Sequence, residues 1–572
     1  MEEYQKNFDH WKAALKDTEW QPALDELEKK PEDLQDSFYR DLEFGTAGMR
    51  GILGLGTNRM NVFTVRRATQ AVADHINNEG LADRGVAIAY DTRRNSDLFA
   101  HEAAGVLLAN GIKVYLYSTP HSVPQLSFTI RELNCGAGIV ITASHNPPEY
   151  NGYKVYGEDG AQLPVADSDK IMQIMDGIDY FGIKTAPLTE DDRFEYIGEK
   201  LDNIYYNKVE SLVIDKDTIA EQADKLSVVY TPLYGTGLKP VVHVLEDLGL
   251  KKLYVVPEQE FPDPDFPTVS APNPENREAY NLAILLADDK GANLILATDP
   301  DSDRLGVAVR NQHGEFVILT GNQIGCLLLD YILTRLDDRG ELPKDAFIVK
   351  SLVSTDMADV IAKSFGVEVR NVYTGFKNIA EQIKIADETK EGTFIFGFEE
   401  SYGYLRGPFV RDKDAVQGAM MVTEAACYYA AQGKTLYDAV LDMFRKYGWF
   451  KEEVISKTLY GQEGIEKIKK AVETLRENPP SSIGELPTLE VRDYLNDTEK
   501  NMQTGEVTKI GMDPMDVLYL QLENGRFIIR PSGTEPKLKS YLTVRADNFQ
   551  DSEGMMRDLE EASVNLIEKL LD

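Results

Sequence analysis

The stretch IVITASHNPPEYNGYK, residues 139–154, constrains the fold more than any other part of the chain. Its β-branched apolar run reads as a buried strand. Thr142, Ala143, Ser144, His145, Asn146 and Pro147 follow with no spacer. Small residues, turn formers and a proline hold Ser144 at the strand's C-terminal end, where open α/β sheets gather their ligands. A serine so placed either belongs to a plain strand-to-loop turn or serves as a nucleophile or phosphoryl carrier.

The same grammar recurs at 293–306, NLILATDPDSDRLG, where the loop presents Asp299, Asp301 and Asp303 at alternate positions, then Arg304. At about 4 Å and an effective dielectric near 20, each pair of such carboxylates repels by a few kcal/mol. A rigid strand end keeps that cluster mainly when a divalent cation cancels the charge. An all-oxygen donor set suits a hard ion, Mg²⁺ before softer metals. An EF-hand loop also opens with this alternation, but its glycine and distal bidentate glutamate do not follow, and the flank is a strand. A solvated acidic turn is the plainer alternative.

Two more loops complete the set. Residues 393–404, TFIFGFEESYGY, end a strand in Glu399, Glu400, Ser401 and Gly403, short polar groups suited to sugar hydroxyls or to an ordinary turn. Residues 526–539, RFIIRPSGTEPKLK, put Arg530, Ser532, Gly533, Thr534, Lys537 and Lys539 on one short loop. Guanidinium, ammonium, hydroxyl and flexible backbone N–H groups are the inventory of a phosphate cradle.

With these motifs the chain resembles the α-D-phosphohexomutase superfamily, and more closely its longer phosphoglucomutase-type members. FGTAGMRG at 44–51, TASHNP at 142–147, DPDSDR at 299–304, EESYG at 399–403 and RPSGTEPK at 530–537 carry the resemblance, in the family's order over nearly the whole chain. It implies four domains around a central cleft, a phosphorylated serine, one Mg²⁺, and interconversion of sugar 1- and 6-phosphates through a bisphosphorylated sugar, glucose 1,6-bisphosphate for a glucose substrate. Under it, Ser144 carries the phosphoryl group. Asp299, Asp301, Asp303 and the phosphorylated Ser144 ligate the metal. Arg530, Ser532, Gly533, Thr534 and Lys539 hold the substrate phosphate, and Glu399 and Ser401 read sugar hydroxyls. Arg50 and Lys154 sit beside the phosphoserine, while Arg304, Thr374, Lys377 and Lys413 line the cleft. Lys154, in the family's Asn-Gly-x-Lys segment, is the preferred proton handler. His145 adjoins Ser144 and is a second candidate base, although a loop neighbour commonly points elsewhere. Tyr402-Gly403-Tyr404 stands where mannose-type relatives carry a histidine, which favours the glucose branch. Mutases of mannose or pentose phosphates, and a non-catalytic phosphosugar-binding protein, are the alternatives.

A strand-like segment followed by a helix-like stretch occurs three times, at 86–91, 226–237 and 346–355. Roughly 50 to 70 residues after each comes one of the loop-bearing strands, and the last region lacks this unit. The expectation is an α/β protein of three related α/β domains, a phosphoserine domain at 1–203, a metal domain at 204–317 and a sugar domain at 318–450. A C-terminal α+β phosphate-binding domain follows at 451–572. Proline-rich 257–274 and 478–487 read as surface loops within domains.

Charge sharpens the functional reading. A net charge of −34 over 572 residues argues against nucleic acid or anionic membrane as a partner. It also repels a phosphosugar dianion. Arg50, Lys154, Arg304, Lys377, Lys413, Arg530, Lys537 and Lys539 therefore stand out, because scarce cations gather at the motif loops. No apolar run is long enough to span a bilayer, and the first residues read as an amphipathic helix. Three scattered cysteines indicate neither a disulfide framework nor a thiolate site. A cytoplasmic enzyme, monomer or weak homodimer, is the expectation.

Overall fold

The computed structural model describes residues 3–45, 48–459, 461–532 and 537–571. The chain divides into two compact units. One comprises Met1–Leu352 with Gly366–Tyr437, and the other Val353–Phe365 with Asp438–Asp572.

The first unit holds three sheets. In the first sheet, β1 (Met49–Ile52), β2 (Val86–Tyr90), β3 (Val114–Tyr117), β4 (Ala137–Ile141), β5 (Tyr150–Gly157) and β6 (Phe194–Ile197) lie in the order β1-β5-β4-β2-β3-β6. In the second, β7 (Ser227–Thr231), β8 (Lys252–Val255), β9 (Leu294–Thr298), β10 (Leu305–Arg310) and β11 (Phe316–Ile318) lie in the order β11-β10-β9-β7-β8. In the third, β12 (Ala346–Ser351), β13 (Glu368–Val372), β14 (Thr393–Glu399) and β15 (Gly403–Leu405) lie in the order β13-β12-β14-β15.

One pattern underlies all three sheets. The central strands β2, β7 and β12 each pair in parallel with β3, β8 and β13 on one side and with β4, β9 and β14 on the other. Each of β4, β9 and β14 then pairs antiparallel with the next strand, β5, β10 or β15. The serine, aspartate and glutamate loops are thus the same connection in three copies, which is the internal repetition read in the sequence. Strands β2, β4 and β9 are buried at every residue. That is why they read as unbroken apolar runs, as parallel strands covered on both faces must.

Local chemistry sets the flanking helices. Asn61 caps Val62–Asn78, accepting from the N–H groups of Phe63 and Thr64. Capping boxes built from Ser122 with Gln125 and from Thr320 with Gln323 start Val123–Glu132 and Gly321–Asp338. The N-terminal helix Glu3–Ala14 buries Phe8 and Trp11, as an amphipathic segment should. Proline-rich 257–274 differs from the expected surface loop: Gln259, Phe266 and Val269 are buried within it. Among the described residues, no helix is long and apolar enough to cross a membrane.

The second unit is α+β. Strands β16 (Trp449–Thr458), β17 (Ser482–Ile483), β18 (Leu486–Asp493), β19 (Thr498–Asn501), β20 (Val507–Thr508), β21 (Leu518–Leu522), β22 (Gly525–Pro531) and β23 (Lys537–Ala546) form one antiparallel sheet. Its order is β16-β23-β22-β21-β18-β19-β20, with β17 against β18. Ile468, Val472 and Leu475 from one helix and Met556, Leu559 and Ile567 from another pack on Leu518, Leu520, Phe527, Ile529 and Leu542 of the sheet. The expected hairpin is β21–β22, with Leu522 opposite Gly525.

Candidate active site

The serine loop leaves β4 after Ile141 and turns sharply at Ser144, whose φ of +53° lies in the left-handed region. An L-residue rests there only when its surroundings over-determine it. Here the Ser144 N–H donates to Thr142 Oγ1 at 2.8 Å. Arg93, fully buried with its ion-pair partner Asp91 at 3.4 Å, holds the rest of the loop. Its guanidinium donates to the carbonyls of Ser144 (2.6 Å), Pro147 (2.8 Å) and Tyr150 (3.1 Å), and to that of Asn146. Gly152 on β5 closes the arrangement, because a Cβ there would stand 2.4 Å from the Thr142 carbonyl oxygen.

So held, Ser144 is 3 % exposed and its hydroxyl donates to Asp299 Oδ2 at 2.8 Å. His145 Nδ1 is 3.1 Å from the same hydroxyl oxygen. Burial, with Arg304 and Arg50 nearby, pushes the His145 imidazole down to about 2, so the ring is neutral and a weak base.

Asp299, Asp301 and Asp303 are buried together, each offering an oxygen within 4.8 Å of the others. The backbone N–H of Arg304 and the Ser144 hydroxyl serve the two oxygens of Asp299. Asp301 Oδ2 takes Lys154 Nζ at 3.0 Å and Thr142 Oγ1 at 3.2 Å, and Asp303 Oδ2 takes Lys413 Nζ at 3.0 Å. Asp301 Oδ1 and Asp303 Oδ1 are buried without a hydrogen-bond partner among the described residues. Buried carboxylate oxygens so placed are costly, and a bound cation removes that cost. The donor set therefore fits a metal.

The charges agree with that reading. Burial, reinforced by Asp301 and Asp303, holds the Asp299 carboxyl well above the ordinary range. Burial would raise Asp301 too, but Lys154 and Lys413 outweigh it and bring that carboxyl below its usual value. Lys413 is itself desolvated, yet Asp303, Asp412 and Glu399 hold its ammonium form more tightly than usual. Gly403 makes room for it, since a Cβ there would meet the Lys413 stem at 2.3 Å.

The other expected residues fall as follows. Arg50, on β1 opposite Gly152, donates to Asn146 Oδ1 at 2.7 Å and so borders the serine loop. Arg304 Nη1 pairs with Glu275 at 2.6 Å. Glu399 ends β14 and accepts from the Gly375 N–H at 2.6 Å, which brings Thr374 and the first turn of the helix Phe376–Thr389, with Lys377, to the sugar loop. Ser401 is half-buried beside it. In the second unit, Arg530 on β22 stands directly opposite Lys539 on β23, and the Ser532 N–H donates to the Lys537 carbonyl at 2.7 Å. Like charges directly opposed on a sheet destabilise it unless an anion intervenes. Gly533 and Thr534 lie outside the described residues.

Sequence reasoning missed Arg93, Thr142 and Asp412. Asp412 is buried, accepts from Tyr156 OH at 2.8 Å and pairs with Lys413 at 3.1 Å. The signal for Arg93 was its position just past β2, at the same strand ends as the serine loop, in a chain with 95 acidic against 61 basic residues.

Comparison with known proteins accords with this geometry. Models of phosphoglucomutase/phosphomannomutase α/β/α domains I, II and III match residues 41–181, 203–314 and 320–447. A phosphoglucomutase of Staphylococcus haemolyticus is 38 % identical over 523 residues, 90 % of this chain and 92 % of its own length. One of Staphylococcus epidermidis is 38 % identical over 521 residues, 91 % of this chain and 93 % of its own. Among solved structures, the open form of pp63/parafusin, a Paramecium phosphoglucomutase, shares the fold at TM-score 0.69 and 17 % identity, covering 93 % of this chain and 96 % of that one. A phosphoglucomutase/phosphomannomutase family protein of Burkholderia thailandensis does so at TM-score 0.66 and 18 % identity, covering 91 % and 97 %. The chain belongs to the phosphoglucomutase/phosphomannomutase family and is an isomerase of the phosphohexomutase type.

Proposed function

We propose that this enzyme interconverts glucose 1-phosphate and glucose 6-phosphate, with Ser144 as the phosphoryl carrier and glucose 1,6-bisphosphate as the intermediate. The observation that carries the reading is the Ser144 hydroxyl, 2.8 Å from Asp299, at the mouth of an aspartate cluster with two orphaned buried oxygens. Asp299, Asp301 and Asp303, with an oxygen of phosphorylated Ser144, would hold Mg²⁺, which supplies charge stabilisation as a phosphoryl group departs.

In the resting enzyme Ser144 carries phosphate. Arg530, Ser532, Gly533, Thr534 and Lys539 grip the phosphate already on the sugar, while Glu399 and Ser401 accept from hydroxyls that either orientation presents. Thr374, Lys377, Arg304 and Lys413 complete the cleft. A free sugar hydroxyl attacks the phosphorus on Ser144. The P–O bond to Oγ breaks, a new P–O bond forms to the sugar, and the hydroxyl proton, relayed through Lys154, ends on Ser144 Oγ. The bisphosphate turns end over end. Its other phosphoryl group then returns to Ser144 Oγ, whose proton passes back through Lys154 to the departing sugar oxygen. Arg50 steadies the transferring group beside Asn146. His145, neutral and half-buried, orients the serine hydroxyl rather than titrating.

In this reading residues 1–203 carry the serine, 204–317 the metal, 318–450 the sugar loop and 451–572 the phosphate loop. A net charge of −34 supports a small-molecule partner over nucleic acid or membrane, for a monomer or weak homodimer in the cytoplasm.

Purified protein with Mg²⁺ and a trace of glucose 1,6-bisphosphate is expected to convert glucose 1-phosphate far faster than mannose 1-phosphate or ribose 1-phosphate. Equal or reversed rates would reassign the substrate within the family. Ser144→Ala should lose turnover while still binding glucose 1-phosphate, and an active variant would remove the carrier.

A further inference from the structure

The proline-rich loop of the second sheet's domain takes no part in the chemistry above, yet it touches both halves of the site. Phe266 is fully buried at φ +45°, and the Arg93 guanidinium lies over its ring, 5.0 Å from the centroid. Arg93 is the clamp on the serine loop. Directly after Pro274, the Glu275 carboxylate takes Arg304 Nη1 at 2.6 Å. Arg304 follows Asp303 directly, and its backbone N–H donates to Asp299 Oδ1 at 3.1 Å.

The loop is stiff and fastened along its length. Prolines stand at 262, 264, 267, 272 and 274, and each narrows the conformations open to its neighbours. Gln259 Nε2 and Tyr234 OH both donate to Thr268 Oγ1 at 2.8 Å, and Tyr280 OH donates to the Pro274 carbonyl at 2.8 Å. An aromatic residue in the left-handed region persists only where packing dictates it.

We infer that this loop is a strap whose positioning residues, Phe266 and Glu275, hold the serine loop and the aspartate loop in register. Phe266 backs Arg93, which fixes the carbonyl of Ser144 and those of Asn146, Pro147 and Tyr150 after it. Glu275 fixes the direction of the Arg304 guanidinium, so that the residue next to the aspartate cluster presents one orientation to an incoming phosphosugar. The strap rests on the reading of Ser144 as phosphoryl carrier.

A double-mutant cycle tests it, using Glu275→Ala, Arg304→Ala and the combined variant. The readouts are kcat and KM for glucose 1-phosphate, melting temperature, and the rate at which Ser144 gains phosphate from glucose 1,6-bisphosphate by mass spectrometry. Glu275→Ala should lower kcat on the order of tenfold, the effect of one lost charge-assisted hydrogen bond, with an unchanged melting temperature. In the Arg304→Ala background the same substitution should cost nothing further. Phe266→Leu, which keeps an apolar side chain of similar size, should slow phosphate uptake at Ser144 and leave KM unchanged. Additive losses from Glu275 and Arg304, or a Glu275→Ala enzyme as fast as wild type, would overturn the Glu275 assignment; wild-type phosphate uptake in Phe266→Leu would overturn that of Phe266. Wild-type protein that never gains phosphate on Ser144 would instead remove the carrier reading itself.

Discussion

Glu399 shows how one residue's surroundings set its chemistry. It is buried at the end of β14, and burial together with the neighbouring charge of Glu400 pushes its carboxyl up to about 7, against the pull of Lys413. A carboxyl whose folded value is raised holds its proton more tightly in the folded chain than in the unfolded one. Stability linked to Glu399 is therefore greatest below the ordinary carboxylate range and declines as pH rises toward 7. For the proposed sugar contact the sign is opposite, because only the ionised carboxylate accepts from two hydroxyls at once. KM for glucose 1-phosphate should fall as pH rises from 6 to 8, and Glu399→Gln should flatten that limb while stabilising the fold near neutrality. A pH profile unchanged by the substitution would assign the limb to another group.

At the scale of elements, the repeated connection from a parallel strand to its antiparallel partner does most of the positioning. Each copy turns through a non-glycine residue of positive φ: Ser144 at +53°, Ser302 at +55° and Tyr402 at +67°. The strands and their loop chemistry were legible in the sequence, because buried parallel strands read as apolar runs and the loops as abrupt polar breaks. What fastens the loops was not. Arg93 looks like any surface arginine until the fold buries it against four carbonyls, and the sequence separations involved, 51 to 57 residues, lie beyond local pattern. Lys413 likewise meets Asp303 only across domains. Proline content marked 257–274 as a loop but carried no sign that Phe266 would be interior. The substitution Arg93→Met removes the charge and every donor while keeping much of the volume. It leaves Asp91 without its counter-ion and takes a donor from each loop carbonyl, so about 3–5 kcal/mol of stability should be lost, measured by denaturant unfolding. Phosphate uptake at Ser144 should fall with it. An Arg93→Met protein of wild-type stability would mean that water replaces the guanidinium at little cost.

For the whole molecule, the two units are not two consecutive lengths of chain. The second unit combines Asp438–Asp572 with the short segment Val353–Phe365, which departs from the third sheet between β12 and β13. Arg526 on β22 ties these pieces together. Its buried guanidinium donates to Asp356 Oδ1 at 2.7 Å and to the carbonyls of Val353 at 3.1 Å and Ser354 at 2.5 Å. Its Nε also donates to Thr543 Oγ1 at 3.1 Å, and a buried cation so engaged is costly to disturb, since removal takes a donor from a carboxylate and two carbonyls. Asp356 keeps some exposure, so the low end of that range applies, and Arg526→Ala should cost about 3 kcal/mol. A chain of this size need not melt as one cooperative step. The loss should therefore appear in calorimetry as a lower transition for the second unit, with the transition of the first unit unmoved. Arg526→Met restores volume but not donors and should recover only the packing share. If both variants melt like wild type, the segment 353–365 is held by its other contacts, and Arg526 is dispensable to the union of the two chain pieces.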